Sequence, residues 1–326
     1  MTRFLHVANG TSTTATIHRA GLPGRSSIWA DALHDGPVPG GIADADLLAV
    51  RALYLARTFR TSHEETIAEL HRWRDAIASV DSYDELVLWY EHDLFDQLNL
   101  IQVLNWIAGL PSTPRVSLIS IGAFPGRERF KGLGELSPDE LAPLFDTRQP
   151  LTYAQYGLAE RAWHAFRSSD PRSIETVVAG DTSPLPFLAD ALRRHLEEFP
   201  WIGDGLSRTE RRLLELLAPG PLDLRIAFPR MHDLETHFYI ADASFLDLVS
   251  TLASAPAALL ALAPSPPEAR ELEDVASLTE HGRSVLTGGI DRVARWGVDR
   301  WLGGVHLEGM RDVWRWHPGE QRLVSA

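Results

Sequence analysis

Glu91, His92 and Asp93 place two carboxylates and an imidazole on consecutive positions, directly after the apolar run at 86–90. A carboxylate and an imidazole beside a buried strand can do general acid–base work, because burial and a neighbouring charge bring their pKa values toward neutrality. Consecutive residues of an extended chain cannot all face one side. Glu91 and His92 are therefore the catalytic candidates, and Asp93 reads either as a ligand contact or as the N-cap of the next helix. Asp96 and Gln97 fall in that helix's first turn, where an acidic side chain suits the helix dipole. Gln97 joins Asp93 among the substrate-binding candidates.

Two further clusters match this one. "DALHDGP" (31–37) offers Asp31 and His34 as catalytic partners; Gly36 and Pro37 also allow a plain surface turn with Asp35 as turn former. "HVANGTS" (6–12) offers His6, Asn9, Gly10 and Ser12, whose backbone amides and hydroxyls could hold a phosphate at a helix start. It is neither a Walker A nor a G-x-G-x-x-G sequence. Arg127 and Arg129 in "FPGRERF" suit a bidentate grip on carboxylate or phosphate, or form a solvated loop. Together the His and acidic residues would suffice for a divalent metal. No two of them sit at a short spacing such as H-x-x-x-H, so the pattern specifies no cofactor.

The elements that must position these residues alternate. Strands are expected at 3–9, 26–33, 86–90 and 115–122, and helical periodicity at 44–80 and 94–110, the latter with its apolar residues on one face. A further helix starts at Pro138 with Ser137 as its N-cap. This pattern predicts an α/β domain with a doubly wound, mostly parallel, Rossmann-like sheet. Ligands of such sheets collect beyond the carboxyl ends of the strands, and all four polar clusters follow strands. Residues 151–204 read as a helical region packed on this domain. Residues 205–326 read as a winged-helix-like domain, opening with Ser207 and Glu210 in a capping box. Its acidic, Pro-rich stretch 263–274 is expected to be exposed. The boundaries are thus 1–150, 151–204 and 205–326. The segments 180–187 and 193–199 could close the site from the helical region; otherwise Asp181 reads as a turn former and His195 as a helix-surface residue.

Composition limits the function. The 326 residues carry a formal net charge of −13, of which −9 falls in 1–205 and −4 in 206–326. Neither part has the positive excess that binding to a phosphate backbone draws on, so nucleic acid is not the expected partner. There is no cysteine, hence no disulfide, thiolate site or Cys nucleophile. No apolar run is long enough for a membrane span, and the first residues lack a signal-peptide core, so a cytoplasmic protein is expected.

Taken together, "HVANGTS", "WADALHDGPVP", "LVLWYEHDLFDQLNLIQVL" and "LISIGAFPG…RFKGLGEL" resemble the bacterial domain-of-unknown-function family eighteen thirty-five. The matching positions are His6, Gly10 and Ser12; Asp31, Leu33, Gly36 and Pro37; and Glu91, Asp93, Asp96 and Gln97. Thr11 stands where that family usually has Asp. The resemblance implies the fold and the site and brings no activity. The expected function is a hydrolase or group transferase acting on a small phosphate- or carboxylate-bearing, nucleotide-like molecule. A ligand-sensing regulator or partner-binding protein is the alternative.

Overall fold

The computed structural model describes residues 2–79, 82–112, 115–254, 256–263 and 274–325. The first half runs β1 (Phe4–Ala8), α1 (Thr11–Arg19), β2 (Arg25–Ile28), β3 (Gly36–Pro37), α2 (Asp44–Thr58), α3 (His63–Ala78), β4 (Glu85–Glu91), α4 (Leu94–Ala108), β5 (Arg115–Ile121), α5 (Pro138–Leu141) and β6 (Gln149–Pro150). The middle is helical: α6 (Tyr153–Phe166), α7 (Arg172–Ala179) and α8 (Leu188–Leu196). Then follow α9 (Arg208–Leu217), β7 (Leu222–Asp223), α10 (Leu224–Asp233), α11 (Asp242–Ala253), β8 (Leu260–Ala263), β9 (Val275–Leu278), α12 (Glu280–Leu286) and α13 (Arg292–Trp296). Two hairpins close the chain, β10 (Val298–Gly303) with β11 (Val305–Gly309) and β12 (Trp314–His317) with β13 (Arg322–Ser325).

The main sheet has the order β2-β1-β4-β5-β6, parallel except for the short edge strand β6. Every residue of β4 is buried, because the sheet is covered on both faces. The pleat sorts its side chains. Val87 and Trp89 pack with Ile17 of α1 and Leu141 of α5, while Leu86, Leu88 and Tyr90 pack with Leu98 and Ile101 of α4. The domain is therefore doubly wound.

Several expectations need correction. β2 stops at Ile28, and after a last bond from the Trp29 N–H to the Ala8 carbonyl (2.9 Å) residues 30–33 leave the sheet: the Trp29 indole donates to Gln102 (2.7 Å), and the Asp31 backbone is clasped by Asn99 on both sides (2.8 and 2.9 Å). Helix α4 is buried nearly all round instead of on one face, because α6 and α8 cover what the sheet does not. The 44–80 pattern is two helices, since Ser62 forms a capping box with Glu65 that starts α3 afresh; residue 80 lies outside the described residues. Helix α1 carries four threonines, poor helix formers that hide it from periodicity. Most of the 263–274 stretch lies outside the described residues.

β7, β9 and β8 form a small antiparallel sheet in that order. The hairpin β10–β11 reaches back to the first half, where Leu302 and Gly303 pair in parallel with β3. The largest core cluster draws on all segments, from Leu5 through Leu104, Phe166, Leu192 and Phe245 to Leu323. Among the described residues no helix is long and apolar enough to cross a membrane.

Candidate functional site

From β1 the chain moves to β2 on one flank, and β4 is then laid down on the other. Strands β1 and β4 are therefore neighbours whose following helices, α1 and α4, cover opposite faces of the sheet. Such a switch point leaves a crevice beyond the strand ends. Asn9 follows β1 and Glu91 closes β4, so both stand at that crevice.

There the Asn9 side-chain amide donates to Glu91 Oε2 and to Asp96 Oδ2, at 2.7 Å each. The other Asp96 oxygen accepts from the Glu91 backbone N–H (2.8 Å). Gln97 Nε2 donates to the Glu91 carbonyl (2.6 Å), and the Leu133 N–H donates to Glu91 Oε1. Asp93 caps α4, accepting from the Asp96 N–H (2.9 Å). All three carboxyl groups are buried. Burial raises the pKa of Glu91, and the charge of Asp93 adds to it, against a hydrogen bond from Asp96. Burial, the charge of Glu91 and the hydrogen bond between the two push Asp96 well above the usual carboxylate range. Asp93 is likewise pushed well up by burial and then by Asp96. Glu91 and Asp96 thus form a buried pair joined by the Asn9 amide, both with raised pKa values, an arrangement able to give and take a proton.

Above this pair lies the N-terminus of α1, whose N-cap Gly10 has no side chain to close the first turn. Thr11 and Ser12 are exposed, and Asn9 and Gly10 half-buried. The other wall is the turn at Leu133–Glu135. A Cβ on Gly132 would come within 2.9 Å of Glu91 Oε1, so only glycine lets the backbone lie this close. Ser12 Oγ reaches the Gly134 carbonyl at 3.4 Å.

The structure thus brings Asn9, Gly10, Ser12, Glu91, Asp93 and Gln97 together and separates the rest. His92 points to the opposite face from Glu91, as the pleat requires, and its Nε2 meets the Thr236 carbonyl at 2.9 Å. Burial lowers its pKa. Glu91 and His92 are therefore not partners. His6 is enclosed: Nδ1 accepts from the Trp89 indole and Nε2 faces the Pro23 carbonyl, both at 3.1 Å, which fixes a neutral ring. Asp31 is locked to Arg51 in a buried ion pair (2.7 Å). His34 lies on the wall of a separate cavity.

Neither arginine of "FPGRERF" points to the carboxyl pair through a recorded bond. Arg127 pairs with Glu140 (2.9 Å), and Arg129 donates to the carbonyls of Asp233 (2.6 Å) and Glu235 (3.3 Å). That second contact belongs to a plug the sequence did not announce. Segment 233–237 crosses the α4 side of the crevice, and the His237 carbonyl accepts from the Leu94 N–H at 2.7 Å. Asp181 forms a turn with Ser183, as expected, whereas His195 is wholly buried and not on a helix surface. Asp96 was visible only as a first-turn acid; its distance of five residues from Glu91 becomes meaningful once the strand is known to end at 91. Among the described residues no group of three or more His, Asp or Glu side chains is arranged to hold a metal ion.

The fold and site define an α/β protein with a buried carboxyl pair at the switch point of a mostly parallel sheet. No family model matches the chain, and no curated protein matches it.

Proposed function

We propose that the protein is a cytoplasmic enzyme of the hydrolase or group-transfer kind that acts on a small phosphate- or carboxylate-bearing molecule at the β1–β4 switch point. The observation that carries this reading is the buried Glu91–Asp96 pair, bridged by Asn9, directly beneath the open first turn of α1. The amides of that turn would take the anionic group, and the pair would hand over the proton. Membership of the domain-of-unknown-function family eighteen thirty-five is part of the proposal. Thr11 then stands for an acidic residue at the mouth, leaving the first turn better suited to an anion.

The test is a thermal-shift and calorimetric screen of the full chain against nucleotides, sugar phosphates and small carboxylates, repeated on Glu91→Gln. A ligand at a hundredfold excess over its Kd adds about 2.7 kcal/mol of stability. A hit that Glu91→Gln weakens or leaves bound without turnover supports the reading. The absence of any hit, with both proteins melting alike, overturns it.

A ligand-responsive regulator is the second reading, favoured by the order α9-β7-α10-α11-β8-β9 with the sheet β7-β9-β8. A winged-helix domain would run in the same order. Helix α11 stands in the position such domains use to read DNA, yet it carries Asp242 and Asp247 and neither Lys nor Arg. Such a module would serve packing or protein contact.

A further inference from the structure

A cavity of about 750 Å3 lies between α2, α11, the turn at 34–37 and β10. It is distinct from the switch point: neither Asn9, Glu91 nor Asp96 lines it. Its size falls within the range of small-molecule sites, roughly 300–1,000 Å3. The walls are built tightly. Gly36 has φ 74° and presses on Tyr54, whose ring a Cβ would meet at 2.6 Å.

Most charges on these walls are matched by the protein itself. Arg300 lies 3.3 Å from Glu198 and 3.9 Å from Asp35, and Arg292 lies 2.5 Å from Glu210. Asp299 pairs with His306 at 2.8 Å. Two charges remain. Arg57 on α2 and Asp247 on α11 both line the cavity, and among the described residues neither makes a hydrogen bond or ion pair. The two helices pack against each other. Burial and the neighbouring Asp35 raise the pKa of Asp247, while the charges of Arg57, Arg60 and Arg300 pull it back down, so Arg57 acts on Asp247 without a direct bond between them. Deeper in, His34 lines the wall with both ring nitrogens unbonded. A half-turn of that ring would bring its nitrogens to the positions its carbons now hold.

We infer that this cavity binds a small zwitterion of the amino-acid or short-peptide class, its carboxylate on Arg57 and its ammonium on Asp247. Opposite charges that line one cavity, neither in direct contact with a partner, fit a ligand that carries one charge of each sign. A free anion would meet the acidic residues of the walls, and a free cation would be repelled by Arg57. Guanidinium and carboxylate match in a two-point fork. Tyr54, Phe238 and Trp301 supply aromatic surface for the rest of the molecule. The inference does not rest on the reaction proposed at Glu91.

Isothermal titration of the full chain with the twenty amino acids and with di- and tripeptides tests it. N-acetylated and C-amidated forms of any binder each remove one charge. Arg57→Gln and Asp247→Asn are the variants; both side chains are exposed and unbonded, so the melting temperature should not move. The expected result is a zwitterion whose affinity drops about tenfold or more in each variant and in each capped form. The same ligand should bind Glu91→Gln unchanged. Failure of every amino acid and peptide to bind at millimolar concentration overturns the inference. Loss in only one variant, or equal binding of a capped form, overturns it as well.

Discussion

Glu91 and Asp96 meet beneath Asn9, whose single amide nitrogen sits 2.7 Å from an oxygen of each. Burial disfavours the charged form of both, and the charge of Glu91 adds to this at Asp96. Their raised pKa values, with that of Asp93, mean that the folded chain holds protons the unfolded chain releases above about pH 4. Stability from this cluster is full below that pH and is lost as pH rises toward the folded values. Each group contributes up to about 1.4 kcal/mol per pH unit. The Tm advantage of the unsubstituted chain over Asp96→Asn, measured by calorimetry from about pH 4 upward, should shrink as pH rises. An advantage that grows with pH would mean that the cluster is ionised.

Two histidines pull the other way. Burial pushes His34 down to about 4 and His195 down to about 3, and neither ring has a hydrogen-bond partner. The unfolded chain takes up protons there from about pH 6.5 downward, while the folded chain does not. Stability from these rings is full above pH 6.5 and is lost as pH falls toward 4. His195 sits among Phe166 and Phe199, with ring centroids at 5.0 and 6.2 Å. His195→Phe should therefore lower the pH midpoint of acid unfolding measured by circular dichroism, by removing one of the two rings.

The Asp31–Arg51 pair predicts a loss of folding instead of a loss of chemistry. Both side chains are buried, and Arg51 also donates to the carbonyls of Ala32 (2.9 Å) and Asp35 (2.8 Å). Asp31→Ala leaves a buried cation without its counter-ion, which costs about 3–5 kcal/mol. The urea midpoint should fall accordingly. A variant of native stability with lost turnover would instead return Asp31 to the catalytic set.

Gly132→Ala tests the closeness of the turn to the carboxyl pair. Its φ suits any residue, so the cost is the contact with Glu91 Oε1 and not the backbone. Pushing the turn outward should cost about 1–3 kcal/mol, with the Leu133–Glu91 hydrogen bond lengthened. Amide exchange at Leu133, followed by NMR, should accelerate in step. Unchanged protection would show that the loop absorbs the methyl group.

The strands that carry the sheet were legible because they are short, apolar and bounded by turn residues. Their polar ends were legible too, and Asn9, Gly10, Ser12, Glu91, Asp93 and Gln97 do converge. What failed was sidedness. His92 is adjacent to Glu91 in sequence, and the pleat of β4 sends them to opposite faces. His6 lies two positions below the end of its strand and is sealed by Trp89 and Pro23. Asp31 and His34 follow a strand that ends earlier than its apolar run, because buried amides on α4 draw that segment away. The contacts of residues 233–237 with the crevice are set by tertiary packing, which no local pattern encodes.

That packing bears on how the chain is made. The Thr236 carbonyl that meets His92 is 144 residues away. A ribosome adding about 5–20 residues per second needs on the order of 7 to 30 s to supply it. Until then the start of α4 and the apolar surface that the later helices cover stand open to solvent. Translation pauses after β5 would lengthen that exposure and are expected to raise the share of chains that aggregate before they finish.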